Sequence, residues 1–280
     1  MIQIFLIAIS VIWLIVASIT DIKKREVADW LSFSLIAIGL FIAVLSGIIQ
    51  NNYTNLISTL IVFLIFMLLA NIIYYSGLFG GGDAKLFIAL GAILPQLSFN
   101  SIIALPSSLI FLLNTIFIGA LYGLICSFYL AIKHKEQFKK EVDKLLKFSP
   151  ILYILISISI ILFILSFILK PSYLFFMPAV LILISPFILI FAKAIENAAL
   201  VKIIDTKNLT EGDLLAFPIK IGNRLINARL GLTKDNIEFI QKHKRNIMIK
   251  EGIAFVPVFL IAFILSLLIG NLFEIFFIFN

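Results

Sequence analysis

Between positions 86 and 132 the chain runs 47 residues without a charged side chain. As a single helix that run would be roughly 70 Å long, more than twice the ~30 Å hydrocarbon core of a bilayer. It has to fold back, and Pro95, Gln96, Ser98 and Asn100 supply a polar turn where it can. Six further uncharged runs, at 2–20, 30–49, 56–75, 151–169, 173–192 and 253–273, each come close to the ~20 residues that one helical crossing needs. The pattern predicts eight crossings. Composition agrees: 62% of the 280 residues are hydrophobic and 13% charged, against roughly half and a quarter in a soluble domain. A water-soluble core of this size could not hide that much apolar surface.

The charges also predict a direction. The first run has no basic residues before it, and Lys23, Lys24 and Arg25 follow it, the reverse of a secretory signal. The expectation is a retained helix with its N-terminus outside. The loops at 21–29, 76–85, 133–150 and 193–252 then face the cytoplasm and hold 21 of the chain's 22 Lys and Arg; only Lys170 lies elsewhere. This is the asymmetry expected of cytoplasmic loops in a plasma-membrane protein. It accounts for the formal charge of +7 without a nucleic-acid partner. The single cysteine, Cys126, excludes a disulfide framework or a CxxC-type zinc module and is expected to be a small buried side chain.

Two stretches outside the apolar runs are long enough for structure. In 133–147, Phe138, Val142, Leu145 and Leu146 recur at helical spacing, predicting an amphipathic helix that extends the fifth crossing along the membrane surface. Residues 193–251 have a soluble composition. There, 201–204 and 214–221 read as strands around a turn-rich 206–212, and 235–243 as a helix capped by Thr233. The expected fold is an all-α polytopic membrane protein of about eight transmembrane helices with a small cytoplasmic α+β domain. Its expected parts are a transmembrane module (1–132), an amphipathic segment (133–150), two further spans (151–192), the α+β domain (193–252) and a last span (253–280).

Two carboxylates stand at the ends of apolar runs. Asp21 closes the first, and Asp83, preceded by Gly80, Gly81 and Gly82, opens the fourth. The predicted topology puts both at the cytoplasmic edge. Taken singly, an Asp at a helix end is ordinary flank or an N-cap. Ionisable groups at membrane depth, however, tend to be functional. Two carboxyls at close range cannot both ionise easily, so one retains a proton and the pair can serve as general base and general acid together. Such a pair can hydrolyse a peptide bond with no metal and no cofactor. The glycines are expected to take positive φ and let a substrate strand approach.

The residues around both acids resemble a known family. The segment from Thr20 through Asp21, Ile22, Lys23, Lys24, Arg25, Glu26, Val27, Ala28 and Asp29 to Trp30 is similar to the first aspartate motif of archaeal prepilin and preflagellin peptidases. Gly80-Gly81-Gly82-Asp83-Ala84-Lys85-Leu86 resembles their GxGD motif. Gly231-Leu232-Thr233 and Glu251-Gly252-Ile253-Ala254-Phe255-Val256-Pro257 are similar to elements of the archaeal branch. The resemblance implies an aspartic membrane endopeptidase that cuts basic leaders from pilin- or archaellin-like precursors at the cytoplasmic face, with Asp21 and Asp83 as the catalytic pair. Ala28 and Ala254 stand where the family usually has proline, which bears on the rigidity of two turns and on no catalytic group. The cysteine-bearing loop of the bacterial N-methylating relatives is absent from the sequence.

Other side chains near the motifs have simpler expected roles. Lys23, Lys24 and Arg25 read as juxtamembrane anchors, Asp29 as an N-cap, Lys85 as a snorkelling lysine, and Glu211 and Asp213 as solvated turn residues. Glu26, like Asp29, is a minor candidate for leader binding. His134 and His243 have no metal-ligand partner at helical spacing. Two other functions use the same acids. A presenilin-type GxGD protease would carry Tyr-Asp within a span, whereas Asp21 follows Thr20 at an edge. A proton- or cation-coupled transporter would be expected to show repeated halves, and no repeat is evident.

Overall fold

The computed structural model describes residues 2–102, 104–147, 150–171, 173–222, 224–228, 231–244 and 246–274. Among them are ten α-helices: α1 (Ile2–Lys24), α2 (Asp29–Gln50), α3 (Thr54–Tyr75), α4 (Gly81–Ile93), α5 (Ser107–Lys133), α6 (Lys135–Lys147), α7 (Pro150–Ile168), α8 (Tyr173–Ile195), α9 (Lys234–His243) and α10 (Val256–Leu268). The five described strands are β1 (Val201–Asp205), β2 (Leu214–Leu215), β3 (Ile219–Ile221), β4 (Arg224–Ile226) and β5 (Asn246–Lys250). The chain divides into two compact units. The first holds the residues up to Leu124 and the stretch from Gly252 onward; the second holds most of what lies between, and the division falls inside α5.

Each of the eight predicted crossings contains a helix, and five helices are long and apolar enough to cross a bilayer: α1, α2, α3, α5 and the continuous helix Leu174–Leu200 that includes most of α8. The molecule is therefore a multi-pass membrane protein. The predicted fourth crossing is short and ends at the predicted turn around Pro95. α4 has 13 residues, about 20 Å, and ends in a 3₁₀ turn, Leu94–Gln96, with Pro95 in its first positions. α10 also has 13 residues.

In the first unit α4 is the central element, with Ala84, Leu86, Phe87, Ala89, Leu90, Gly91, Ala92 and Ile93 all buried. A helix apolar on every side is one that neighbours enclose. The close approach depends on missing side chains. A Cβ on Gly39 of α2 would lie 2.7 Å from the Ala92 carbonyl oxygen, and one on Gly91 would lie 2.7 Å from the Phe66 Cβ of α3. Small residues at helix contacts are the usual route to tight packing in lipid, where no hydrophobic force drives helices together. Phe66 stacks on Phe87 at 4.6 Å, and Phe259 and Phe263 of α10 pack against Phe87 and Phe111.

Polar groups inside this unit are paired where the helices end. Gln96 donates to the Gly39 and Ala92 carbonyls at 2.8 and 2.9 Å. Buried Asn114 of α5 donates to Ser266 Oγ at 2.9 Å and to the Gly270 carbonyl at 2.7 Å, and accepts from the Leu272 N–H at 3.0 Å. Glu274 accepts from Ser101 Oγ at 2.6 Å and the Ile102 N–H at 2.8 Å. Backbone groups freed at the end of α10 are thus satisfied by side chains, as an apolar surrounding requires.

In the second unit α7 and α8 pack on each other. α6 follows α5 after a turn at His134. Its apolar face turns to α8, with Phe138 against Phe191 at 5.5 Å and Glu141 accepting from Asn197 at 2.9 Å. Cys126 is half-buried. The small α+β part has a three-stranded antiparallel sheet in the order β1-β5-β2 and a separate β3–β4 hairpin. The strand predicted at 201–204 is β1. The one predicted at 214–221 is broken into β2 and β3, which belong to different sheets, because Pro218 between them has no N–H for a ladder. Thr233 occupies the N-cap position of α9 but its side chain makes no cap hydrogen bond. Leu232, Ile237, Ile240, Ile247 and Ile249 form the core of this part.

Replacing Asn114 by Leu strands the Gly270 carbonyl and the Leu272 N–H in an apolar surrounding. The expected cost is about 1–3 kcal/mol, read as a lower thermal unfolding midpoint in detergent; an unchanged midpoint would mean that these bonds do not hold α10.

Candidate active site

Asp21 lies in the last turn of α1, which reaches Lys24, one turn beyond the apolar run. The helix stops because Arg25 adopts a left-handed backbone, φ 58, its N–H bonding back to the Asp21 carbonyl at 2.9 Å. Lys23 and Lys24 are exposed in that final turn, where cations suit the helix dipole. The Asp21 side chain points the other way and is 5% exposed. Its Oδ2 accepts a 3.0 Å hydrogen bond from the backbone N–H of Val256, the first residue of α10, and the Phe255 amide faces the same carboxyl. The first N–H groups of a helix have no partner within it, so α10 offers its free donors to α1. Residues 235 positions apart are joined by this one bond.

Asp83 is the third residue of α4 and is half-buried. Its Oδ2 accepts from the Gly80 N–H at 3.0 Å, closing the first turn. The start of α4 is seated on the α1–α2 loop by Gly82, where a Cβ would fall 2.9 Å from the Val27 Cβ and 3.1 Å from its backbone nitrogen. Across the same contact Lys85 Nζ meets Asp29 Oδ1 at 2.6 Å. Both partners of that ion pair are largely exposed, so it registers the loop more than it stabilises it. The result is that Asp21 and Asp83, 62 residues apart, come close enough for the charge on one to act on the other. Among the described residues no three His, Cys, Asp or Glu come together as a metal-binding group.

Several expectations are corrected here. The glycines before Asp83 do not take positive φ: Gly80 has φ −70 and neither Gly81 nor Gly82 is left-handed. Gly82 is required for packing on Val27, while a Cβ on Gly81 would meet nothing nearer than Tyr74, at 4.0 Å. Ala28, not Asp29, is the N-cap of α2, and Asp29 instead pairs with Lys85, which had been expected to reach to the interface alone. Glu26 is exposed. Glu211 lies 3.9 Å from Lys234, and Asp213 accepts from the Thr210 N–H at 2.7 Å, both within the α+β part. The role of residues 255–256 as donors to Asp21 was not anticipated. The signal was present in Pro257, which suits the first turn of a helix and so marks where free N–H groups would be.

Comparison with known proteins fits this architecture. Residues 8–124, which contain both aspartates, match the type IV leader peptidase family. A preflagellin peptidase from Methanococcus maripaludis is 36% identical over 88 residues, 31% of this chain and 38% of the relative. One from Methanococcus voltae is 30% identical over 92 residues, 33% and 39% of the two chains. One from Methanocaldococcus jannaschii is 32% identical over 88 residues, 31% and 37%. The aligned region thus spans about two fifths of the length of these archaeal relatives. The leader-peptidase match covers most of α1, all of α2 to α4 and most of α5, but not α10, which supplies a hydrogen-bond donor to Asp21.

Gly81 and Gly82, within the matched residues, make opposite predictions. Gly82→Ala forces a Cβ into Val27 and should cost about 1–3 kcal/mol, lowering the unfolding midpoint by several degrees. Gly81→Ala should leave the midpoint unchanged. Equal behaviour of the two variants in thermal melts would contradict the seating of α4 on the loop.

Proposed function

We propose that this chain is a membrane aspartic endopeptidase that removes leader peptides from preflagellin- or prepilin-type precursors, with Asp21 and Asp83 as its catalytic pair. The observation that carries the reading is the convergence of these two carboxyls, from α1 and α4, inside a leader-peptidase segment. One carboxylate takes a proton from water as it attacks the scissile carbonyl. The other, protonated, gives its proton to the departing nitrogen. The proton is shared by the pair, so neither acid holds one role throughout. The Val256 N–H holds the Asp21 carboxyl and the Gly80 N–H holds that of Asp83, which restrains both side chains before substrate arrives.

The distribution of Lys and Arg supports eight membrane segments with the N-terminus outside and the two acids at the cytoplasmic face of the plasma membrane. The named activity of the archaeal relatives supports a precursor substrate of the preflagellin kind. Its apolar segment would lie among the spans and present the leader junction to the aspartates. Gly80 and Gly81, both exposed at the mouth of the site, leave room for that strand.

Purified protein and a preflagellin test this directly. Asp21→Ala and Asp83→Ala should each lower leader removal by about 10²–10⁴-fold or more, whereas Asp29→Ala should retain most of it. Substantial cleavage by either of the first two variants would overturn the assignment.

A further inference from the structure

The sheet of the α+β part has an outer face that a soluble sheet should not have. In β5 the side chains alternate, Ile247 and Ile249 buried in the core and Asn246 and Met248 outward. An antiparallel sheet with one solvated face normally places polar residues on the outward positions. Here the outward cross-strand pair is Ile203 with Met248, and Phe217 lies beside it. These three are 66%, 45% and 56% exposed. With Ile219 and Ile247 they line an open groove of about 460 Å³.

Lys244 lines this apolar groove and also a neighbouring polar depression formed by Asp205, Thr206, Lys207, Gln241, Lys242 and His243. The two surfaces are therefore continuous. Lys207, Lys242 and Lys244 are exposed, and none is paired with a carboxylate among the described residues. The single acid in the depression, Asp205, accepts the Lys207 backbone N–H at 3.0 Å. The cations sit on a fixed frame: Thr206 Oγ1 donates to the Lys244 carbonyl at 2.9 Å, and Gln241 to the Thr206 carbonyl at 3.0 Å. An apolar groove with a cationic rim is complementary to a lipid with an acyl chain and a negative headgroup.

We propose that this face binds anionic phospholipid, with headgroup phosphate at Lys207, Lys242 and Lys244 and apolar chain against Ile203, Phe217 and Met248. The tether to the membrane favours lipid over a soluble acidic partner. β1 begins at Val201, directly after the membrane helix Leu174–Leu200, so anionic headgroups are always within reach at high local concentration. A basic leader peptide would be repelled by the same three lysines. This inference is independent of the proposed peptidase activity.

The test uses the full chain in vesicles of phosphatidylcholine, with or without about one third phosphatidylglycerol. In a Cys126→Ser background, a nitroxide is placed by Phe217→Cys, or, as a solvent-facing reference, by Glu211→Cys. With phosphatidylglycerol, the label at 217 should become more accessible to oxygen and less accessible to a water-soluble nickel chelate, while the label at 211 stays aqueous. Each of Lys207→Ala, Lys242→Ala and Lys244→Ala should lower the docked-to-free ratio about fivefold, and high salt should do the same. Labels at 217 that stay equally aqueous in both vesicles would overturn the proposal. So would shielding that ignores lipid charge but rises with protein density, since that marks contact between copies.

Discussion

Asp21, in the last turn of α1, is buried among its neighbours, where a carboxyl needs hydrogen-bond donors from the protein. The donors come from α10, whose first N–H groups have no partner in their own helix. This contact explains why the last apolar helix packs with the first instead of standing apart. The far end of the same helix is secured by Asn114, and its middle by Phe259 and Phe263. A single helix thus links the site at one end of the unit to a polar network at the other.

α4 plays the complementary part. It is too short to serve as an ordinary crossing and is enclosed by its neighbours, so its N-terminus can be set at a fixed depth by Gly82 on Val27 and by Lys85 on Asp29. Gly39 and Gly91 let α2 and α3 close around it. The position of Asp83 therefore follows from packing along the whole helix and not from the glycine-rich turn alone.

Much of this was legible in the sequence. Uninterrupted apolar runs located the five described helices that are long and apolar enough to cross a bilayer, because a helix satisfies its own backbone polar groups in lipid. Asp21 and Asp83 stood out because charges are rare at such positions. The turn at Pro95 marked where α4 ends, but not that its neighbours would enclose so short a helix. For residues 255–256, Pro257 marked a helix start with free N–H groups, but nothing in the sequence named Asp21 as their acceptor. In the α+β part, β4 and β5 were missed. β5 carries Ile, Met and Ile between charged flanks and is recognisable as central only once β1 and β2 lie on either side of it.

The central claim is that two acids distant in the chain meet. The most direct measurement replaces both, Asp21→Cys with Asp83→Cys in a Cys126→Ser background, and treats the protein in membranes with a short bifunctional thiol reagent. The account predicts rapid intramolecular crosslinking, seen as a single added bridge in the intact mass. It also predicts none when Asp21→Cys is combined with Ser58→Cys on α3 instead. Two separately modified thiols at positions 21 and 83, with no bridge, would contradict it.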